Sequence, residues 1–588
     1  MKRARLLLAL ALIGCGVQTS ADSPAPARVN ACMTDDACGE GGVCYAGACF
    51  ARKGAGYPIV LEIVPDPSSG PEGGASFVLP TLEGITANEP ELPLVLPPLV
   101  AIEGHLNVEG DATAECPRSE AGAQPSVHVT LSRTEEFTGL PRAKYALNAQ
   151  PSSTPRAFVF DTTQAAAGHY DVYVEALGCS MAPVLASAVH LEGETVRFAL
   201  DLPTATVLRG TVKAPEGVSL EGWLVDLVEP TRGRVISTVE SLTMQEGVAT
   251  FEVPYRPLQA LAKEVSETAV TYRMAGSAED QDAPLIRIRP PEGLIAPTTL
   301  WDLAAADLPN TGYVELDLSA LPFGAVEVAG HLEGDASDHP LVTGAVVFSS
   351  LSLAGVAPGV TASYTVTVAT DEHGAYATSL LPGIYRVVAI PDPALPWAIT
   401  ETTWEIGASP EHQAGRAVIV SAKPGLVARV RFGPSGEKLA SATVNAVASV
   451  AANPHSVLDA ALGKTPALPR ASSNTTDAEG LAPLDLDPGL YDLFVRPKEG
   501  SYLSWFVQPR TLVPAPTPGT RTAVVDLPVP LPILLGGRAY DTEGSVLANA
   551  VVRAYALLGA TGTVVQVAET HTARDGRYKL LLPSKLTE

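Results

Sequence analysis

Thr370-Asp371-Glu372-His373-Gly374-Ala375-Tyr376, followed by Leu381-Pro382-Gly383-Ile384-Tyr385-Arg386-Val387-Val388-Ala389, decides the fold, because the chain says it again. The second statement is Thr476-Asp477-Ala478-Glu479-Gly480-Leu481, then Asp487-Pro488-Gly489-Leu490-Tyr491-Asp492-Leu493-Phe494-Val495. In both, the turn glycine and the Pro-Gly glycine stand nine residues apart. Asp/Gly clusters supply the positive-φ positions of tight hairpins, and Pro-Gly makes the next reversal. After that reversal Tyr385, Val387 and Ala389 alternate with Arg386 and Val388, as Tyr491, Leu493 and Val495 alternate with Asp492 and Phe494. A period of two led by an aromatic residue predicts a half-buried strand.

Parts of the same template recur outward from these two copies. Ala167-Gly168-His169-Tyr170 takes the Pro-Gly-x-Tyr place in a first repeat, and Gly104-His105-Leu106 opens it as Gly330-His331-Leu332 opens the third. A fifth repeat has Gly536-Gly537-Arg538-Ala539-Tyr540, Ala548-Asn549-Ala550-Val551-Val552 and the turn Thr572-Ala573-Arg574-Asp575-Gly576. The second opens at Leu208-Arg209-Gly210-Thr211-Val212, and its middle does not align. Repeats of about 100 residues with many turns are domains in a row. The fold class expected is all-β, tandem Greek-key β-sandwiches.

These motifs resemble the carboxypeptidase regulatory-like family of transthyretin-like sandwiches: its opening Gly-x-Val, Ala-x-Val strand, Thr-x-x-Asp-Gly turn and Pro-Gly-x-Tyr strand. The resemblance implies an Ig-like, transthyretin-like fold for residues 98–588 and no activity. Metallocarboxypeptidase zinc ligands are absent, since none of the ten histidines has His-x-x-Glu spacing, and His-Glu-x-x-His, Gly-x-Ser-x-Gly and a phosphate loop are missing too. No catalytic residue, metal ligand or cofactor is therefore expected. The Glu109–Asp111 and Glu333–Asp335 turns offer too few carboxylates for an all-protein calcium site.

The N-terminus places the chain. Lys2, Arg3 and Arg5 precede the apolar run Leu6–Ile13, too short to span a bilayer and suited to a signal peptide. Leu12-Ile13-Gly14-Cys15 resembles a bacterial lipobox, which implies lipidation of Cys15, and Gly16 in place of aspartate favours the outer membrane. Six cysteines remain, an even number suited to export. Cys32, Cys38, Cys44 and Cys49 are packed into a segment with too few apolar side chains for a core, so disulfides are expected, zinc being the competing reading. The segment resembles the cysteine-rich knots of myxobacterial surface lipoproteins. Cys116 and Cys179 fall in one repeat and are expected to pair.

The expected organisation is a signal peptide at 1–14, a lipid anchor and tether at 15–31, a disulfide-rich module at 32–49 and a β-hairpin connecting region at 50–97. Repeats follow at 98–203, 204–323 (divergent), 324–424, 425–532 and 533–588. The last is incomplete, because Leu582-Pro583-Ser584-Lys585 stands where Pro-Gly-x-Tyr is due. Its final strand is missing, borrowed from elsewhere or cut off. Linkers near 203–205, 322–324, 424–426 and 531–533 are expected to be protease-sensitive, each sandwich burying its own core.

A formal charge of −25 excludes nucleic acid and anionic lipid as partners. The function expected is a non-catalytic, lipid-anchored structural or adhesive scaffold of the envelope. Two alternatives stand beside it, a carbohydrate-binding surface lipoprotein and an accessory subunit of an envelope enzyme or transport complex. The partners implied are the membrane, envelope proteins and polysaccharide. Trp397 and Trp505, in matching loops after Tyr385 and Tyr491, are the candidate ligand-binding residues; packing between repeats is the competing role.

Overall fold

The computed structural model describes residues 32–33, 35–38, 42–45, 48–51, 56–68, 75–79, 81–82, 91–108, 126–134, 140, 144–151, 157–177, 181–245, 248–266, 269–277, 283–303, 313–407, 413–433, 436–449, 456–464, 468–515, 522–558 and 563–586. Cys15, Cys116, Cys179 and the first Glu-Gly-Asp turn lie outside them. The chain is all-β, and the described residues include one short α-helix, Val457–Ala461, capped by Ser456.

The third and fourth repeats share one topology. In the third, Val326–Gly334 lies between Ala375–Leu380, antiparallel, and Gln413–Val420, parallel. The facing sheet runs Thr365–Ala369, Gly344–Leu353, Gly383–Pro391, Thr400–Ile406. In the fourth, Gly425–Phe432 lies between Leu481–Asp485 and Thr522–Val529, opposite Ser472–Thr475, Thr443–Ala448, Gly489–Arg496 and Phe506–Val513.

The repeated motifs mark repeated contacts. Thr370 accepts the Gly344 N–H at 2.8 Å, Thr476 accepts that of Ala442 at 2.9 Å, and Thr572 accepts that of Ala550 at 2.8 Å. Asp371 Oδ1 takes the N–H groups of His373 and Ala375, and Asp477 Oδ1 those of Glu479 and Leu481. Those backbone donors, Ala375 first and His373 next, hold the Asp371 carboxyl below its usual range. The strand-leading tyrosines donate back across the corner: Tyr170 to Ala166 O at 2.8 Å, Tyr385 to Leu381 O at 2.8 Å, Tyr491 to Asp487 O at 3.1 Å.

The opening glycine has a steric cause. It faces the carbonyl of the parallel last strand, and a Cβ would stand 2.4 Å from Phe198 O at Gly104, 2.4 Å from Val314 O at Gly210 and 1.7 Å from Arg416 O at Gly330. Backbone cannot yield as a flexible side chain does. Gly330→Ala is expected to lower stability by about 3 kcal/mol, at the upper end of overpacking costs. Gly324→Ala, with open space around it, should change little; differential scanning calorimetry of the pair checks both.

Four expectations change. The first repeat is a closed barrel, because the hairpin Gln259–Val265 and Val270–Ser277 of the second repeat fills the gap between Val184–Leu191 and Thr195–Leu202. That insertion is why the middle of the second repeat does not align. Cores are also shared: one apolar cluster runs through the second and third repeats, another through the fourth, the fifth and the cysteine module. The junctions are short, with Leu202 to Thr206, Val420 to Gly425 and Val529 to Pro532 joining strand to strand, and Leu202, Val420 and Val529 are buried. Chain so constrained is a poor protease substrate, so the expected cleavage at 203–205, 424–426 and 531–533 is withdrawn. The fourth change concerns residues 57–96.

Candidate functional site: closure between the two ends of the chain

The last repeat has four strands of its own. Pro532–Tyr540 pairs with Arg577–Pro583, and Val551–Leu558 pairs with Thr563–His571. By comparison with the third and fourth repeats, three strands are missing. The N-terminal segment, taken from sequence as a connecting region, fills all three places. Ile59–Val64 runs antiparallel to Val551–Leu558, where Gly383–Pro391 runs beside Gly344–Leu353. Phe77–Val78 pairs outside it. Leu94–Val95 lies parallel to Pro532–Tyr540, as Gln413–Val420 lies parallel to Val326–Gly334.

The motif contacts return with their partners supplied from the opposite end of the chain. Tyr57 donates to Pro583 O at 2.5 Å, the corner bond of Tyr385 and Tyr491 remade across 526 residues. A Cβ on Gly537 would stand 1.9 Å from Leu92 O, as one on Gly330 would meet Arg416 O. Tyr578 donates to Leu92 O at 2.9 Å, where Tyr376 donates to Arg416 O at 3.0 Å. The strand is therefore borrowed, and the fifth sandwich is built from both ends of the chain.

A buried carboxylate sits in this closure. Glu62, 1% exposed, interrupts the apolar run Ile59-Val60-Leu61-Glu62-Ile63-Val64. Oε1 accepts from Ser76 Oγ at 2.6 Å, and Oε2 accepts from Tyr555 Oη at 2.9 Å and Arg553 Nη1 at 3.3 Å. Arg553 Nε also binds Glu569 at 2.8 Å. Burial, with Glu62 as its neighbour, pushes the Tyr555 hydroxyl well above its ordinary range, so it remains a donor. Both faces of Ile59–Val64 are covered: Ile59, Leu61 and Ile63 enter the large shared core, and Val60 packs with Tyr555, Val564 and Leu140 of the first repeat.

The cysteine module joins this site. Cys32 pairs with Cys44 and Cys38 with Cys49, so all four expected cysteines are in disulfides. The sulfurs of Cys32, Cys38 and Cys49 lie within 4.8 Å of one another, close enough for a metal, but disulfide sulfurs are not thiolate ligands. Ala48 and Phe50 pack on Leu534 of the opening strand. Reducing both bridges is expected to release the module and cost 2–5 kcal/mol, about the value of native bridges in small exported modules. Hydrogen exchange at Phe50 and Leu534, with and without reductant, measures it.

Buried ions also lock neighbouring repeats. Asp487, 1% exposed, binds Arg470 Nη2 at 2.6 Å and Nε at 2.9 Å and accepts the Ile399 N–H of the third repeat at 2.7 Å. Arg470 reaches on to Trp397 O at 2.7 Å and Pro391 O at 3.3 Å. Burial alone would raise the Asp487 carboxyl, but Arg470 and the backbone donors outweigh it and hold it below its usual range. Arg256, fully buried, donates to Ala182 O and Pro203 O between the first and second repeats. Asp226 holds Arg287 and Arg289, and Arg287 reaches Ala461 O of the fourth repeat's helix at 3.2 Å. Val360–Ser363 of the third repeat adds a strand to the second repeat's sheet beside Thr298–Asp302.

The other sequence candidates are not brought together. Trp397 is half-buried, its indole over Gly334, where a Cβ would stand 2.3 Å from the ring. Trp505 is half-buried under the Arg496 guanidinium, 4.1 Å from the ring centroid. Glu333 is taken up by His331 and His339. Sequence reasoning missed Glu62, Asp487, Asp226 and Arg256. A lone carboxylate inside an otherwise apolar strand is the signal that marked Glu62.

No known protein family matches this chain, and no curated protein does. Solved structures similar to parts of it include bacterial pilin subunits. A streptococcal ancillary pilin is 12% identical, covers 55% of this chain and 99% of its own length, and has a TM-score of 0.19. The minor pilin GBS52 of Streptococcus agalactiae is 12% identical over 35% of this chain and 96% of its own, with a TM-score of 0.22. The pilus backbone RrgB of Streptococcus pneumoniae is 9% identical over 62% and 99%, with a TM-score of 0.12. No helix among the described residues is long and apolar enough to cross a membrane.

Proposed function

We propose that this chain is a non-catalytic structural or adhesive scaffold of the bacterial cell envelope, lipidated at Cys15 and held on the outer membrane. The observation that carries the reading is the way the repeats are fastened. Strands pass from one repeat into the preceding repeat's sheet, and arginines and the buried Asp487 reach backbone groups of a neighbouring repeat. Such joints resist bending and separation, which serves a load-bearing surface protein. The basic leader, the apolar run and the two disulfides support export to an oxidising compartment. The same reading divides the chain into a signal peptide, a tether, a cysteine module and five sandwiches. The first two borrow strands from the repeat that follows, 259–277 and 360–363, and the fifth combines residues 57–96 with 532–586.

Protease shaving of intact cells, with mass spectrometry of released peptides and the Cys15→Ser variant alongside, tests the proposal. Release of wild-type peptides from residues 98–588, with the variant lost to the medium, is expected. Retention of Cys15→Ser on the cells, or protection of the wild type until the outer membrane is opened, would contradict it.

A further inference from the structure

The fifth sandwich separates donor from acceptor along the chain. The donor, Ile59–Val95, comes first; the acceptor, Pro532–Pro583, comes last, and Glu62 and Arg553 meet across 491 residues. We propose that the C-terminal half-sandwich also accepts the N-terminal segment of a second copy of this chain, so that molecules associate by strand exchange.

Exchange keeps every bond of the closure. The backbone ladder from Ile59 to Val64, the Glu62 contacts and the Tyr57 corner bond are the same whether the donor comes from its own chain or from another. Only the hinge changes. Leu96-Pro97-Pro98 joins the donor to the first strand of the first repeat at Leu99. Two prolines make this connection short and stiff, and it cannot fold back as freely as a long flexible loop. Order of synthesis favours exchange. The donor is complete hundreds of residues before its own acceptor exists, and a neighbouring acceptor presents the same slot.

The slot selects its occupant. Without a donor, Val551–Leu558 and Pro532–Tyr540 are open sheet edges over an exposed core, which demands a strand. Tyr555 Oη and Arg553 Nη1 both aim at one place in the slot. A strand lacking a carboxylate there leaves the buried Tyr555 hydroxyl unpaired. The segment around Glu62 meets that demand, and this makes a second copy the partner rather than an arbitrary β-strand. Exchange between two chains closes a dimer; exchange passed from chain to chain makes a head-to-tail fibre.

The full chain with Val64→Cys and Val551→Cys, positions opposite one another across the closure, reports which chain supplied the strand. After denaturation, refolding and oxidation, non-reducing gels should show covalent dimers and longer ladders when refolding is concentrated. Internally crosslinked monomer should predominate when it is dilute. Inserting Gly-Ser-Gly-Ser between Pro97 and Pro98 should reduce the dimer fraction several-fold. Internally crosslinked monomer alone at every concentration would overturn the proposal. Sedimentation of the wild-type chain after the same two refolding regimes serves if the double variant does not fold, and a monomer in both would overturn it equally.

Discussion

A chain lacking residues 57–96 is expected to lose the fifth sandwich entirely while the second and third repeats remain folded. The segment contributes Ile59, Val60, Leu61, Ile63, Phe77, Leu94 and Leu96, all buried. At roughly 1.5–3 kcal/mol for each large apolar side chain the loss is on the order of 10–20 kcal/mol. That is as large as the whole stability of a typical domain, about 5–15 kcal/mol. Two sheet edges are opened as well, and Tyr578 loses its acceptor at Leu92 O. The second and third repeats share a separate core and should keep their protection. Hydrogen exchange followed by mass spectrometry reads both effects. Adding a synthetic peptide of residues 57–96 should restore protection to Val551–Leu558, and the same peptide with Glu62→Ala should restore less.

Asp487→Ala is the second large effect, expected at about 3 kcal/mol, the low end of the cost of breaking a buried pair, because Asp487 is buried and Arg470 half-buried. Arg470 then keeps only the carbonyls of Trp397 and Pro391, and Ile399 N–H loses its acceptor. Replacing Arg470 and Asp487 together by apolar residues should cost far less than either single change, which a double-mutant cycle with chemical denaturation measures. The pH dependence follows from the sign of the shift. The Asp487 carboxyl is held below its unfolded value, so its contribution is complete above an ordinary aspartate pKa of about 3.9. It is lost as pH falls through the depressed folded value. Asp487→Asn should remove that part of the acid-induced loss, leaving a flatter stability curve below pH 4. Asp371, depressed in the same direction but exposed, should add little.

The local half of this fold was legible in sequence because its causes are local. The Thr-Asp-x-x-Gly turn, the Pro-Gly-x-Tyr corner and the opening glycine each correspond to a contact repeated in the structure. For each, the residue type follows from the geometry: a hydroxyl to cap an N–H, a phenol to reach four residues back, and no Cβ beside a carbonyl. The four module cysteines were legible for the same reason, as a segment too poor in apolar residues to fold without bridges. Pairing across the chain was not legible, since periodicity shows that a strand exists and never which strand it meets. Ile59–Val64 carried two clues. A run apolar on both faces belongs inside a sheet covered on both sides, and Gly56-Tyr57 ahead of it shortens the Gly-x-Tyr of the third and fourth repeats by one residue. The inserted hairpin 259–277 hid the second repeat for a similar reason, because its partners belong to another repeat.

Joint opening of Ile59–Val64 and Val551–Leu558 is the most direct test of the closure. Native-state hydrogen exchange of the full chain over a denaturant series gives the opening free energy of each strand. Equal values, falling together with the same denaturant slope, are what a single sandwich built from both ends predicts. Exchange of Ile59–Val64 at free-chain rates while Val551–Leu558 stays protected would contradict it.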